Sequence, residues 1–119
     1  MVRAGGEGFP RACRVRKRLD YLRIQNQGRR FSSPHYLVFV LPSKARGPAR
    51  FGVTVSRKVG NAVARNLVKR WIRESCRRLA PALPPDLDLV VVARPVAARA
   101  GFAPTLSELA SLGRRLRGA

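Results

Sequence analysis

VGNAVARNLVKRWIRESCRR, residues 59–78, carries the spacing of a helix with two unlike faces. Asn61 is a suitable N-cap, because its short side chain can accept a hydrogen bond from a backbone N–H of the first turn. Advancing 100° per residue from there puts Val63, Ala64, Leu67, Val68, Trp71, Ile72 and Leu79 on one broad apolar arc. Arg65, Lys69, Arg73 and Arg77 recur at every fourth position and make a cationic stripe about 18 Å long. Asn66 and Arg70 lie beside it. Such a helix must bury its apolar arc against another layer, and the flanking segments supply a sheet.

Upstream, YLVFVL (Tyr36–Leu41) and RFGVTVS (Arg50–Ser56) are rich in β-branched and aromatic residues and read as strands. The loop SKARGPAR between them turns at Gly47 and Pro48, so the pair reads as an antiparallel hairpin. A shorter helix from about Lys17 to Gln27 stops at Gly28. It puts Tyr21, Ile24 and Gln25 on one side and Leu19, Leu22 and Asn26 on the other. Downstream, the cationic helix ends near Leu79, ahead of Pro81, Pro84 and Pro85. LDLVVVAR (Leu87–Arg94) is nearly all apolar, which predicts a central strand covered on both faces. A last helix runs from about Pro104 to Leu116, with Thr105 and Glu108 spaced as a capping box and Leu106, Leu109 and Leu116 as its inward stripe. The order α-β-β-α-β-α predicts an α/β (α+β) sandwich with helices packed on a small mixed sheet. Residues 15–119 read as a single domain. Residues 1–14, rich in Gly and Arg without periodicity, read as a flexible basic tail in preference to a transit peptide.

Charge narrows the partner. Among 119 residues, 25 Lys and Arg face six acids, for a formal charge of +19. From Tyr21 to Arg73 there are twelve basic residues and no Asp or Glu. Self-repulsion of this size weakens an isolated compact state, and a polyanion compensates for it. RNA, DNA and an anionic membrane surface all qualify. No apolar run is long enough to span a bilayer, and no secretory h-region is present, so the membrane has least support. Cys13 and Cys76 stand far apart without ligand-like neighbours and read as free thiols in a reducing, cytoplasmic setting.

Catalytic equipment is sparse. Asp86 and Asp88 are the only close carboxylates, and they flank a strand start where Asp serves local turns. His35, the lone histidine, follows Ser32, Ser33 and Pro34 with no candidate partner. No Gly-rich phosphate loop, GxSxG elbow or CxxC occurs, so neither catalytic residues nor a protein-held metal is expected. Binding equipment is richer. Asn66 sits in a cationic field where it can hydrogen-bond a phosphate, a 2′-OH or a base edge. Arg57 and Lys58 extend the patch to the helix N-terminus, whose dipole and free N–H groups favour anions. Tyr21 with Tyr36 or Phe39 could supply ring faces for unpaired bases. Leu37 and Phe39 point to one side of their strand and Tyr36 and Val38 to the other, and the alternation leaves open which set faces the core. Trp71 belongs to the apolar arc.

SRKVGNAVARNLVKRWIRE resembles the signature of the bacterial ribonuclease P protein family, whose pattern runs K-x-I/V-G-x-A-V-x-R-N-x-x-K-R-x-x-R. RVRKRLDYLRIQNQGRR resembles that family's N-terminal start and first helix, and YLVFVL, RFGVTVS and LDLVVVAR resemble its strands in order. The resemblance implies a subunit of an endoribonuclease whose catalytic entity is a large RNA. That RNA uses divalent metal ions such as Mg²⁺, held by the RNA, to remove the 5′ leader from precursor tRNA. The protein then binds the RNA subunit and the single-stranded leader. It implies no membrane and no protein partner. Carried over by motif, Arg57, Lys58, Asn61, Arg65, Asn66, Lys69, Arg70, Arg73 and Arg77 form the RNA-binding set, while Tyr21, Leu37 and Phe39 line the leader cleft. The implied fold is ribosomal protein S5 domain 2-like, with a left-handed crossover between parallel strands.

Two positions depart from the pattern. Leu67 stands where the family's helix usually has an arginine after Arg-Asn, so a cation is missing or is supplied by Arg70 or Arg77. Gln25 replaces a second aromatic of the first helix, which makes leader stacking weaker or more polar. The competing reading is a structural, ribosomal-type RNA-binding protein without processing activity. A protein-only nuclease built on Asp86 and Asp88 is a more distant one.

Overall fold

The structure, a computed structural model, describes residues 14, 15, 17–44 and 46–118. Helix α1 is Arg18–Gln27, followed by strands β1 (Arg29–Ser32), β2 (Tyr36–Pro42) and β3 (Arg50–Thr54). A 3-10 turn at Arg57–Val59 leads into helix α2 (Ala62–Leu79), and a second at Ala80–Ala82 leads to β4 (Leu87–Ala93). A third, Pro95–Arg99, precedes helix α3 (Phe102–Gly118). Cys13 and the basic tail up to residue 13 lie outside the described residues. Arg14 does not belong to the tail as expected: it bridges to Phe51, and the Val15 N–H donates to the Phe51 carbonyl at 2.8 Å.

The sheet order is β1-β2-β4-β3, and this overturns the expected hairpin between Tyr36–Leu41 and Arg50–Ser56. Strand β4 lies between them, antiparallel to β2 and parallel to β3. The reason lies in the chemistry of β4. Its residues Asp88 to Val91 are all buried, so it needs neighbours on both edges and cover on both faces. The loop after β2 is accordingly tied to the start of β4. The Ser43 N–H donates to the Asp86 carbonyl at 2.9 Å, the Asp86 N–H to the Gly47 carbonyl at 2.8 Å, and the Gly47 N–H to Asp86 Oδ1 at 2.8 Å. Asp86 takes a left-handed conformation there, at φ +62°. Strand β1 was not anticipated, since RRFS offers only Phe31 as an inward residue.

Alternation along β2 assigns its two faces. Tyr36, Val38 and Val40 join Val68, Ile72 and Cys76 of α2 and Leu109 and Leu112 of α3 in the main core. Phe39 and Leu41 pack on the other face with Val90, Val92, Ile24 and Tyr21 beneath α1. Two glycines admit this packing. A Cβ on Gly52 would lie 2.7 Å from the Tyr21 ring, and one on Gly28 would lie 2.5 Å from the Ile24 carbonyl oxygen.

The proposed capping box at Thr105 and Glu108 is absent, because α3 begins earlier, at Phe102, after Gly101 at φ +83°. Thr105 is instead a buried relay: its Oγ1 donates to the Gly101 carbonyl at 2.8 Å and accepts from Tyr36 Oη at 2.6 Å. Burial pushes the Tyr36 hydroxyl pKa up, keeping it a donor. Glu108 accepts from Ser33 Oγ at 2.6 Å and the His35 N–H at 3.0 Å, and contacts His35 Nδ1 at 2.5 Å. His35 therefore has a partner, 73 residues away in sequence.

Candidate nucleic-acid interface

Helix α2 starts where its sequence marks the start. Asn61 Oδ1 accepts from the Ala64 N–H at 2.9 Å, and Gly60, at φ +154°, turns the chain into the cap from the 3-10 turn. Arg57 and Lys58 on that turn are exposed, beside the positive end of the helix dipole. The buried arc is narrower than the wheel suggested and centres on Val68, Ile72, Ser75 and Cys76. Val63 is 78% exposed and Leu67 40% exposed, so neither belongs to the core. The first turn projects beyond the packed layer, and there Asn61 and Ala62 are exposed too. Trp71 is half-buried against the core, as its place in the arc predicts.

With the helix rotated this way, Asn66, Arg70 and Arg73 stand farthest out, while Arg65 and Lys69 are half-buried on the flank. The Arg65 Nε is buried without a hydrogen-bond partner. Arg77 differs from its stripe-mates. Its Nε donates to Glu74 Oε1 at 3.0 Å, its Nη2 bonds Glu74 Oε2, and Arg78 Nε donates to the same oxygen at 3.0 Å. The Arg77 hydrogen bond, with Arg78 beside it, holds the Glu74 pKa at about 2. Arg77 thus already has an ion-pair partner within the protein, one it shares with Arg78.

Asp86, Asp88 and Glu108 are also committed away from this surface. Asp88 is 0% exposed and receives Arg50 Nε at 2.8 Å, Arg50 Nη2 at 2.9 Å and Arg23 Nη2 at 3.1 Å. Burial opposes its ionisation, but the bonds from Arg50, Ser43 and Arg23 outweigh that and lower its pKa. The two Asp88 oxygens are saturated by guanidinium groups and Asp86 Oδ1 by the Gly47 N–H, so this pair does not fit a chelated metal ion. No group of three or more His, Cys, Asp or Glu among the described residues could hold one. Arg57, Lys58, Arg65, Lys69, Arg70 and Arg73 form no ion pair with a carboxylate among the described residues.

On the α1 side of the sheet, Tyr21, Leu37 and Phe39 are half-buried on one surface. Tyr21 is fixed in place, its Oη accepting from the Val53 N–H at 3.1 Å while its ring lies over Gly52. Beside it Arg18, Tyr21, Leu22, Gln25 and Thr54 line an open cleft of about 340 Å³. Gln25 gives that cleft a side-chain amide. Tyr36, the alternative stacking residue, is fully buried and faces the opposite layer.

The model for the family described as ribonuclease P matches residues 9–117. The chain belongs to the ribonuclease P protein family. The ribonuclease P protein component of Desulfovibrio desulfuricans is 44% identical over 111 residues, covering 91% of this chain and 85% of that one. That of Ligilactobacillus salivarius is 39% identical over 88 residues, covering 74% and 78%. Among solved structures, the RNase P protein of Thermotoga maritima superposes with a TM-score of 0.76 at 32% identity, covering 86% of this chain and 96% of that one. The Staphylococcus aureus protein gives 0.77 at 31%, covering 85% and 92%. The chain is therefore a protein subunit of the ribonuclease P holoenzyme, an endoribonuclease of tRNA 5′ processing, and it works with an RNA subunit. The ribosomal-type reading is not favoured. Among the described residues no helix is long and apolar enough to cross a membrane.

Proposed function

We propose that α2 and the turn before it bind RNA through Arg57, Lys58, Asn61, Arg65, Asn66, Lys69, Arg70 and Arg73, and that the cleft at Tyr21, Leu37 and Phe39 receives the single-stranded 5′ leader of precursor tRNA. The observation that carries this reading is the distribution of carboxylates. The ion-paired Asp88 and Glu74 are taken up by Arg23, Arg50, Arg77 and Arg78, and the cations at the head and outer face of α2 have no ion-pair partner among the described residues. Arg77 consequently drops out of the direct RNA set and acts with Glu74 as a helix brace.

Catalysis in this reading belongs to the RNA subunit, with Mg²⁺ held by the RNA. The protein lowers phosphate repulsion between the RNA subunit and substrate, and its cleft fixes the leader in register. The setting is the cytoplasm, a compartment that the free, buried Cys76 thiol suits. The test is reconstitution: the protein is added to a ribonuclease P RNA at low Mg²⁺, and precursor tRNA cleavage is followed. A gain in cleavage that is lost as salt rises is expected. No gain would overturn the reading.

A further inference from the structure

Helix α2 packs against β3 at one edge of the sheet, and β1 forms the opposite edge. Strand register carries the cleft floor from one to the other. Thr54 pairs with Val92, Val92 with Leu37 and Leu37 with Ser32, so these four side chains share the face that α1 covers in part. The adjacent row is Gly52, Val90, Phe39 and Arg30. Arg30 thus stands on the cleft side of β1, directly across from Phe39, and is exposed.

More cations gather at this edge. Arg94 follows Val92 by two residues on the same face; its Nη2 donates to Ser32 Oγ, and its buried Nε has no partner. On the other side of β1, the Arg29 and Arg115 guanidinium carbons each lie 5.1 Å from the Phe31 ring centroid. The two are therefore at most about 10 Å apart, each held by the ring's π face. None of them forms an ion pair with a described carboxylate. Asp86, Asp88 and Glu74 are engaged elsewhere, Glu108 is held by Ser33 and His35 just past the end of β1, and Asp20 sits in the first turn of α1, at the far end from Arg29. Cations crowded in this way repel one another until a polyanion reaches them.

We propose that the β1 edge is a second RNA contact, taking backbone phosphates of the leader after it has crossed the cleft floor. The proposal rests on the leader reading above. Four strands at about 4.8 Å spacing put about 14 Å between Thr54 and Ser32, a span that a few extended nucleotides cover. The leader is the RNA that fits, because the cationic edge continues the apolar floor already assigned to it.

The experiment compares two precursor tRNAs, with leaders of about two and about ten nucleotides, binding to the RNA–protein holoenzyme. The Arg29→Ala/Arg30→Ala double variant is expected to bind the long-leader precursor about tenfold more weakly, with its salt slope flattened by about 1.4. Binding of the short-leader precursor stays unchanged. Arg115→Ala, a single change on α3, should show the same pattern at smaller amplitude. Equal losses on both precursors, or no loss on either, would overturn the proposal. Lys69→Ala, run alongside, separates the two readings: it weakens binding of both precursors if α2 binds RNA, and its failure to do so counts against α2 alone.

Discussion

Arg50 grips both oxygens of Asp88 and Arg23 adds a third bond, all behind a carboxylate with no solvent exposure. Asp88→Asn leaves two guanidinium groups short of a counter-charge and should destabilise the fold by about 2–4 kcal/mol, read from a urea melt. The lowered pKa of Asp88 also has a sign. Its contribution is complete above the unfolded carboxylate value of about 4 and is lost as pH falls toward the lower folded value. Glu108 behaves alike: burial opposes its charge, and the bonds from Ser33 and His35 outweigh that. Stability should therefore fall steeply below about pH 4 in wild type and less steeply in Asp88→Asn. An equal slope in both would refute this account of the buried pair. Leu67, at 40% exposure, occupies a position where a cation fits without cost to the core. Leu67→Arg should leave the melting temperature within a few degrees of wild type and steepen the salt dependence of RNA binding by about 0.7–0.9. A cooperative loss of folding would instead show Leu67 to be a packing residue.

At the level of elements, α2 was legible because cap, charge and apolar spacing agree over eighteen residues. Its rotation was not. Val63 counts as apolar on any wheel, yet the first turn projects past the core, and only the tertiary packing reveals that. Strand β4 announced its central position through a run of apolar residues, whereas its insertion between β2 and β3 depends on backbone bonds of Ser43, Gly47 and Asp86 that leave no periodic trace. The same limit hid β1, four residues long with one inward side chain, and hid the link between His35 and Glu108. The Tyr21 cleft illustrates how site and fold interlock. Gly52→Ala places a methyl group 2.7 Å from the Tyr21 ring, so the ring must shift from its place over residue 52. A loss of about 1–3 kcal/mol is expected, along with weaker binding of single-stranded leader. Retained leader affinity in a folded Gly52→Ala protein would remove Tyr21 from the cleft.

Over the whole molecule, the excess charge of +19 is sorted by place. The ion-paired carboxylates Asp88, Glu108 and Glu74 lie in the interior and on the last turns of α2, and cations without an ion-pair partner among the described residues remain at its head, on its outer face and along the β1 edge. The sequence showed the imbalance; the sorting required the ion pairs of the folded chain. It makes the free protein electrostatically strained and its partner a polyanion, which agrees with membership of the ribonuclease P protein family. The most direct test is the salt dependence of precursor tRNA binding by the holoenzyme, compared between wild type and the Arg70→Ala/Arg73→Ala double variant. Both side chains are exposed and unpaired among the described residues, so the fold should be undisturbed. The account predicts weaker binding and a log–log salt slope shallower by about 1.4–1.8. An unchanged slope and affinity in the folded variant would contradict it.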